Sequence, residues 1–363
     1  MPSRLTLCLL FFVPIKIVAQ SYLNGYLYDT ATQKAIPYAA VYLNGCTSEA
    51  VTYEAGFLSL PLWQAPAQQV DSHLVNLSGV WNLEAVPEDI IRIALKENVR
   101  QLATIEIKDQ DQRQKNLEEF RLLFLGGDQD HPKVYIKNED DLCFERNYNP
   151  RGRPQNLKAN STNTLLVEQA ETKYTIHVDL VQFIQTYGRT FQPNSTAWLA
   201  FYYFDHWDEK ASEHETKRYH KNHDPLYFNS AKHFLKALYD EQLADQGYQV
   251  MQERKDARTG GTVFEDFDLY DYVVEIDEQT KIIRGLKDNT LVILYYANRD
   301  GSPMPPVNKR GRQPLSSASQ FDAENGLSRL DGTTSGADLR FEGIIGNKKV
   351  ATIVPVGYYP TNF

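Results

Sequence analysis

Cysteine is scarce. The chain of 363 residues has Cys8, Cys46 and Cys143, and none of them has a C-x-x-C neighbour. That excludes a disulfide-dense scaffold and disfavours dithiol redox chemistry. Cys46 and Cys143 survive removal of an N-terminal leader. In an oxidising compartment they are able either to pair or to stay apart as separate buried thiols. Long apolar runs are missing too. Beyond residue 20 no stretch approaches the ~20 apolar residues that a membrane-spanning helix needs. Positive charge is not in excess: 38 Lys and Arg stand against 47 Asp and Glu, for a net charge of −9. Nonspecific nucleic-acid binding needs a positive surface to displace counterions, so it is excluded as a function class. The short basic run Lys309-Arg310-Gly311-Arg312 sits among Pro and Ser and reads as a solvated loop.

What is present begins with a targeting pattern over residues 1–20. Arg4 supplies a positive start, Leu5 to Val13 an apolar core too short to cross a bilayer, and Val18-Ala19-Gln20 small residues for cleavage. Cys8 lies inside the apolar core, without the small-residue mature start of a lipoprotein. The reading is a signal peptide with a mature start at Gln20 or Ser21. The protein is then exported, to the periplasm, the outer membrane or the cell surface. The mature chain has the length for two domains, and an apolar fraction of 42% supports a real core.

Residues 21–108 read as an all-β sandwich. Tyr22 to Tyr28 alternates around Gly25, and Pro37 leads into Tyr38–Leu43, closed by the turn dipeptide Asn44-Gly45. Val51 to Leu60, His73–Leu77, Ile90–Leu95 and Thr104–Lys108 supply further short strands. Asp109–Lys115 is polar, and residues 109–116 are expected to be a linker. Residues 117–363 mix the two periods. Leu117, Phe120, Leu123 and Phe124 recur at helical spacing, and Ser230 is placed to cap a helix with Phe234, Leu235, Leu238 and Leu243 on one face and its stop at Gly247. Strands are expected at Val134–Ile136, Tyr174–Leu180, Trp198–Phe204, Tyr270–Ile276, Lys281–Ile283, Leu291–Ala297 and Val350–Val354. This is an α+β pattern. Pro225 is expected to end any helix in the polar stretch before it, and the Gly-, Pro- and Ser-rich 300–336 segment to be an extended, flexible loop.

Gly25-x-x-x-Asp29, Ile36-Pro37-Tyr38-Ala39-x-Val41 and Ala55-Gly56-Phe57 give residues 23 to about 80 a resemblance to the carboxypeptidase-regulatory-like domain, a transthyretin-like (prealbumin-like) sandwich. The copy departs where Glu54-Ala55 replaces the usual Asp before the Gly and where Leu77-Ser78-Gly79-Val80-Trp81 replaces a Gly-Tyr ending. Further on, Phe120-x-x-x-Phe124-Leu125-Gly126, Tyr135-Ile136-x-Asn138, Tyr174-x-Ile176-x-Val178 and Tyr227-x-Asn229-Ser230-x-x-His233-Phe234-Leu235 resemble bacterial envelope proteins that carry this sandwich before an α+β region of unassigned function. The resemblance implies a noncatalytic module and an envelope location. It implies no reaction and no cofactor.

Several residues invite chemistry. Zinc exopeptidases use a His-x-x-Glu pair and a distant second His. His206-x-x-Glu209 matches the first half, but no histidine follows His233. Five of the eight histidines fall between His206 and His233, among acidic residues, and His206, Glu209, His220 and His223 are the candidate metal ligands. Ser230-x-x-His233 resembles a nucleophile and its base, but no orienting acid or oxyanion hole is visible, and a cap plus a packed histidine accounts for the pair. Trp198, Tyr202 and Trp207 are candidates for stacking on a glycan or peptide, and buried strands use the same residues. The first reading is therefore a noncatalytic envelope protein for binding or assembly with an envelope protein, peptide or glycan. The alternatives are a hydrolase with its site around His206–His233 and a glycan-binding accessory protein.

Overall fold

The computed structural model describes residues 21–360 apart from 63–67, 75–76, 84–86, 88, 98–109, 127–133, 171, 189–192, 207–211, 278–279, 287–290, 300, 307–315, 324–326, 330–333, 336–338 and 342. The signal-peptide stretch and the expected strand at Thr104–Lys108 lie outside the described residues. What is described is mostly β, with several sheets, none closed.

Alternation drives the first sheet. In β1 (Ser21–Asp29) Leu23 and Leu27 point inward and are fully buried, while Tyr22 and Tyr26 point out. The strands β2 (Ala40–Leu43), β3 (Glu49–Val51), β4 (Phe57–Leu62), β5 (Gln68–Leu74), β6 (Leu77–Leu83) and β7 (Ile91–Glu97) complete a seven-stranded sheet in the order β3-β2-β5-β6-β7-β1-β4. Leu23, Leu27, Val41, Leu43, Leu58, Leu60, Ile93 and Leu95 from opposite ends of that path share one core. The strand expected from Tyr38 starts later, at Ala40, because Tyr38 takes a left-handed conformation, φ 59°.

The expected linker is a helix. The helix α1 (Gln110–Phe120) begins inside it, and its early turns dock through polar side chains. Asn116 is buried and accepts from Arg146 Nε at 2.8 Å, and Arg113 donates to the carbonyls of Leu142 and Glu139. The helix then widens into a π-turn, Arg121–Leu125, and stops at Gly126.

β8 (Val134–Ile136), β9 (Leu142–Tyr148), β10 (Pro154–Ser161), β11 (Leu165–Gln169), β12 (Tyr174–Tyr187) and β13 (Pro193–His206) form the second sheet. β12 is its spine. One edge pairs with β11 and then β10, and the other with β13 along its whole length, with Val181 as an extra residue at a bulge. Phe120, Phe124, Leu165, Ile176, Val178, Phe183 and Phe204 fill the core beneath. The helix α2 (Glu213–Tyr227) starts at Ser212 with a capping box to Glu215 and runs through Pro225, against expectation. Pro225 cannot donate to the Lys221 carbonyl, and the helix ends two residues later at Tyr227. The helix α3 (Ala231–Tyr239) is capped by Ser230 as expected, but it ends at Tyr239, so Leu243 and the expected stop at Gly247 lie beyond it in turns.

β14 (Tyr248–Lys255), β15 (Thr262–Asp266), β16 (Val273–Asp277), β17 (Thr280–Ile283), β18 (Leu291–Tyr295), β19 (Ser316–Ala323), β20 (Leu327–Arg329), β21 (Thr334–Ser335) and β22 (Leu339–Phe341) make two further sheets, β15-β14-β18-β19-β22 and β16-β17-β20-β21. Within the 300–336 segment, expected to be an extended loop, Ser316–Ala323, Leu327–Arg329 and Thr334–Ser335 are strands, while 307–315, 324–326 and 330–333 lie outside the described residues. The strand expected at Val350–Val354 is instead a 3-10 turn, Val350–Thr352, whose Val350 and Ala351 are buried under the second sheet.

The first sheet is bolted to the second through the turn Asn44–Cys46. Gly45 N–H donates to Tyr202 O at 2.6 Å, Phe204 N–H donates to Cys46 O at 2.9 Å, and Val356 N–H donates to Gly45 O at 2.7 Å. Gly45 has φ +77°, and a Cβ there would meet Val356 Cγ2 at 2.9 Å. Gly45→Ala is expected to cost about 1–2 kcal/mol from the left-handed backbone alone. A urea melt checks it, and an unchanged midpoint contradicts the role of the turn.

Candidate functional site

The seam between the two sheets concentrates buried polar groups. Tyr42 and Asp179, on β2 and β12, are 6% and 5% exposed, and Tyr42 Oη donates to Asp179 Oδ2 at 2.5 Å. Thr164 Oγ1 donates to the other carboxylate oxygen at 2.6 Å. A hydrogen bond to a charged group contributes more than a neutral one, so Tyr42 anchors the seam. Beside it the rings of His177 and Tyr203 lie 5.2 Å apart, and burial lowers the imidazole pKa of His177 against the pull of Asp205. Asn44 Oδ1 accepts from Tyr202 N–H at 2.8 Å. The seam holds no activated nucleophile and works as a joint.

The turn uses only the far end of the outer edge of β13. Even-numbered residues of that strand present their backbone groups outward, as Tyr202 and Phe204 show. Among the described residues, no segment pairs with the outward backbone groups of Thr196, Trp198 and Ala200. From Asn194 to Phe204 the strand carries no charge and no proline. Other edge strands are guarded: β4 holds Pro61, β9 holds Glu145 and Arg146, β15 holds Glu265 and Asp266, β16 holds Glu275 and Asp277, and β3 and β8 are three residues long. Leu199 and Val181 next to the open edge are 54% and 46% exposed.

The stacking candidates lie on this strand but face the other way. Trp198 is half-buried, meets the Phe124 ring edge-on at 5.6 Å, has Lys349 over its face, and donates to Tyr202 Oη at 2.9 Å. Tyr202 packs against the same core, and burial raises its phenol to about 12. Trp207 lies outside the described residues.

Of the metal candidates, His206 ends β13 and His220 lies within α2, while Glu209 lies outside the described residues. His223 is 2% exposed, with its ring between Tyr174 at 4.8 Å and Tyr358 at 5.0 Å. It belongs to a buried stripe, Tyr219-His223-Tyr227, at i, i+4 spacing. Among the described residues no group of three His, Cys, Asp or Glu side chains is placed to hold a metal ion. Cys46 and Cys143 form no disulfide and are both buried, and burial raises the Cys143 thiol pKa.

The Ser230-His233 pair resolves into a cap and a packed ring. Ser230 Oγ accepts from the backbone N–H of His233 at 3.1 Å. The imidazole itself accepts at Nδ1 from Asn229 N–H and Tyr248 Oη, at 3.1 and 2.9 Å, which leaves Nε2–H to donate to Gln246 Oε1 at 3.1 Å. Tyr227 meets this ring at a tilt, 5.1 Å away, and Tyr358 edge-on at 6.2 Å, so His223 and His233 belong to one aromatic cluster.

A cleft of about 760 Å³ lies between the end of α3 and the turn after β15. Three of its four carboxylates, all but Asp245, have structural partners. Glu241 pairs with Lys281 at 2.9 Å, Asp266 accepts from Gln249, and Asp268 caps the turn at Tyr270 N–H. Tyr270 Oη accepts from Leu243 N–H. The cleft brings together acceptors and ring edges, but no nucleophile with a base.

No protein-family model matches this chain, and no curated protein matches it in sequence.

Burial holds the His233 imidazole down to about 4, with the bond to Gln246 opposing. In the unfolded chain it takes up its proton near 6.5. The stabilisation is therefore full above pH 6.5 and is lost as pH falls toward 4, a change of roughly 3 kcal/mol. Urea midpoints across that window are expected to fall less steeply for His233→Gln than for the parent. Parallel curves contradict the buried neutral ring.

Proposed function

We propose that this is a noncatalytic protein of the bacterial cell envelope that binds a partner protein, taking an extended segment of it onto the open edge of β13. The observation that carries the reading is the uncharged, proline-free edge from Asn194 to Phe204, paired at one end by the turn Asn44–Cys46 and, among the described residues, unpaired at Thr196, Trp198 and Ala200. Unpaired strand edges template pairing with another chain, and β-augmentation uses main-chain hydrogen bonds for affinity and neighbouring side chains for specificity. Leu199 and Val181 are the exposed apolar neighbours available for that contact.

Two features of the sequence support the envelope location. Residues 1–20 have the order of a signal peptide, and the residues quoted above resemble a regulatory-like sandwich that accompanies envelope and secreted proteins. In this reading the first sheet is that transthyretin-like module and residues 117–363 are its α+β companion. The hydrolase reading gains nothing from the geometry, because His223 and His233 lie inside an aromatic cluster.

A photo-crosslinking residue at Leu199 is expected to yield a discrete adduct in cells. One at Glu253, remote from the edge, is not. Ala200→Pro removes an outward N–H while leaving the β12 ladder in place, and is expected to abolish the adduct. No adduct at Leu199, or one indifferent to Ala200→Pro, contradicts the edge. Fractionation is expected to find the protein outside the cytoplasm, with Gln20 or Ser21 as first residue by N-terminal sequencing. An intact leader on cytoplasmic protein contradicts the location.

A further inference from the structure

The outward faces of β4, β1 and β7 form a surface unlike the rest of the molecule. Because Leu23, Leu27, Leu58, Leu60, Ile93 and Leu95 point into the core, the alternate residues point to solvent. Tyr22 and Tyr26 are 46% and 39% exposed, and Tyr53, at the end of the face, is 65% exposed. The rings are fixed by their neighbours. Tyr26 meets Phe57 edge-on at 5.3 Å, and Tyr53 stacks on Phe57 at 6.3 Å. Strand register sets Phe57, Tyr26 and Arg92 in one row across the sheet. The next row pairs Asn24 with Ser59, which places an amide and a hydroxyl between the Tyr26 and Tyr22 rings.

Charge separates this face from the chain as a whole. The outward residues of β7 are Arg92, Ala94 and Lys96, and those of β1 and β4 are aromatic, neutral polar or Pro61. The three strands' outward positions hold two cations and no carboxylate, in a protein of net charge −9. Asp89 flanks one end. Glu54 flanks the other, where it accepts from Tyr38 Oη at 3.4 Å. Arg92 lies over the Tyr28 ring, 4.5 Å from its centroid.

We propose that this face binds an acidic polysaccharide, a chain of sugar rings bearing carboxylates. The physical fit has three parts. Exposed tyrosine rings take the C–H faces of pyranose rings while their hydroxyls stay wet. Tyr22 and Tyr26 stand about 13 Å apart along the strand, a repeat suited to an extended polymer. Asn24 and Ser59 meet sugar hydroxyls between the rings, and Arg92 and Lys96 meet carboxylates. The outward positions of these strands hold no Leu, Ile, Val or Met, the aliphatic residues that fill the centre of a close-packed protein interface. The site is separate from the β13 edge and does not depend on it.

Affinity electrophoresis of the full mature chain through gels containing polygalacturonate tests the assignment. Retardation is expected for the parent protein and at least a tenfold loss of affinity for Tyr22→Ala/Tyr26→Ala, whose rings are on the surface. Arg92→Gln, which leaves the tyrosines in place, is expected to weaken binding several-fold and reduce its salt dependence. Gels with a neutral glucan are expected to retard the protein less. Absence of retardation in polygalacturonate, or retardation unaffected by both variants, overturns the site, and equal retardation by the neutral glucan overturns the acidic ligand. The crosslink at Leu199 reads a different surface, so either reading is able to fail without the other.

Discussion

The outer edge of β13 is the constraint on which the architecture rests. A strand of this length with no charge and no internal proline across its middle has to be covered, or it pairs with whatever reaches it. The protein covers part of it with its own chain. Three backbone groups of the turn Asn44–Cys46 are satisfied by Tyr202, Phe204 and Val356, so one short loop joins the first sheet, the second sheet and the C-terminal segment. Lys232 then fastens that segment to α3 by donating to the carbonyls of Pro355, Val356 and Tyr358. Gly45 is the residue that permits the approach, and the Tyr42–Asp179 hydrogen bond fixes the angle at which the sheets meet.

Two histidines of the segment that looks chemical in the sequence, His223 and His233, are buried packing residues. His233 has both ring nitrogens committed to neutral partners, and burial keeps it uncharged. His223 lies between two tyrosine rings. A general base needs a reachable proton and a pKa near the working pH, and His233 has neither. The two proposed binding surfaces differ chemically: one is a backbone edge with aliphatic neighbours, the other a sheet face with aromatic rings and two cations.

Much of the fold was legible because it follows side-chain periodicity. Alternation about Gly25 marks β1, the run from Tyr174 marks β12, and the serine before Ala231 marks the start of α3. The misses have separate causes. The first turns of α1 dock through Arg113 and Asn116, so an apolar count saw a linker. The stripe Tyr219-His223-Tyr227 was readable at i, i+4, but Pro225 argued against a helix that ends only two residues later. Val350 and Ala351 are apolar in either a strand or a 3-10 turn. The site was legible only as composition. The sequence shows that Asn194 to Phe204 lacks charge, but which neighbour covers that edge is decided by a turn more than 150 residues away in the chain. The exposed tyrosines of β1 were readable as outward by alternation, yet Trp198 and Trp207 drew the attention as larger rings.

Amide hydrogen exchange on the isolated protein tests the central claim most directly. The N–H of Phe204, bonded to Cys46, should exchange slowly, while the outward N–H groups of Trp198 and Ala200, on the same strand, should exchange orders of magnitude faster than the inward N–H groups of Leu199 and Phe201. Strong protection at Trp198 and Ala200 in the protein alone would show that the edge is already filled and would contradict the account.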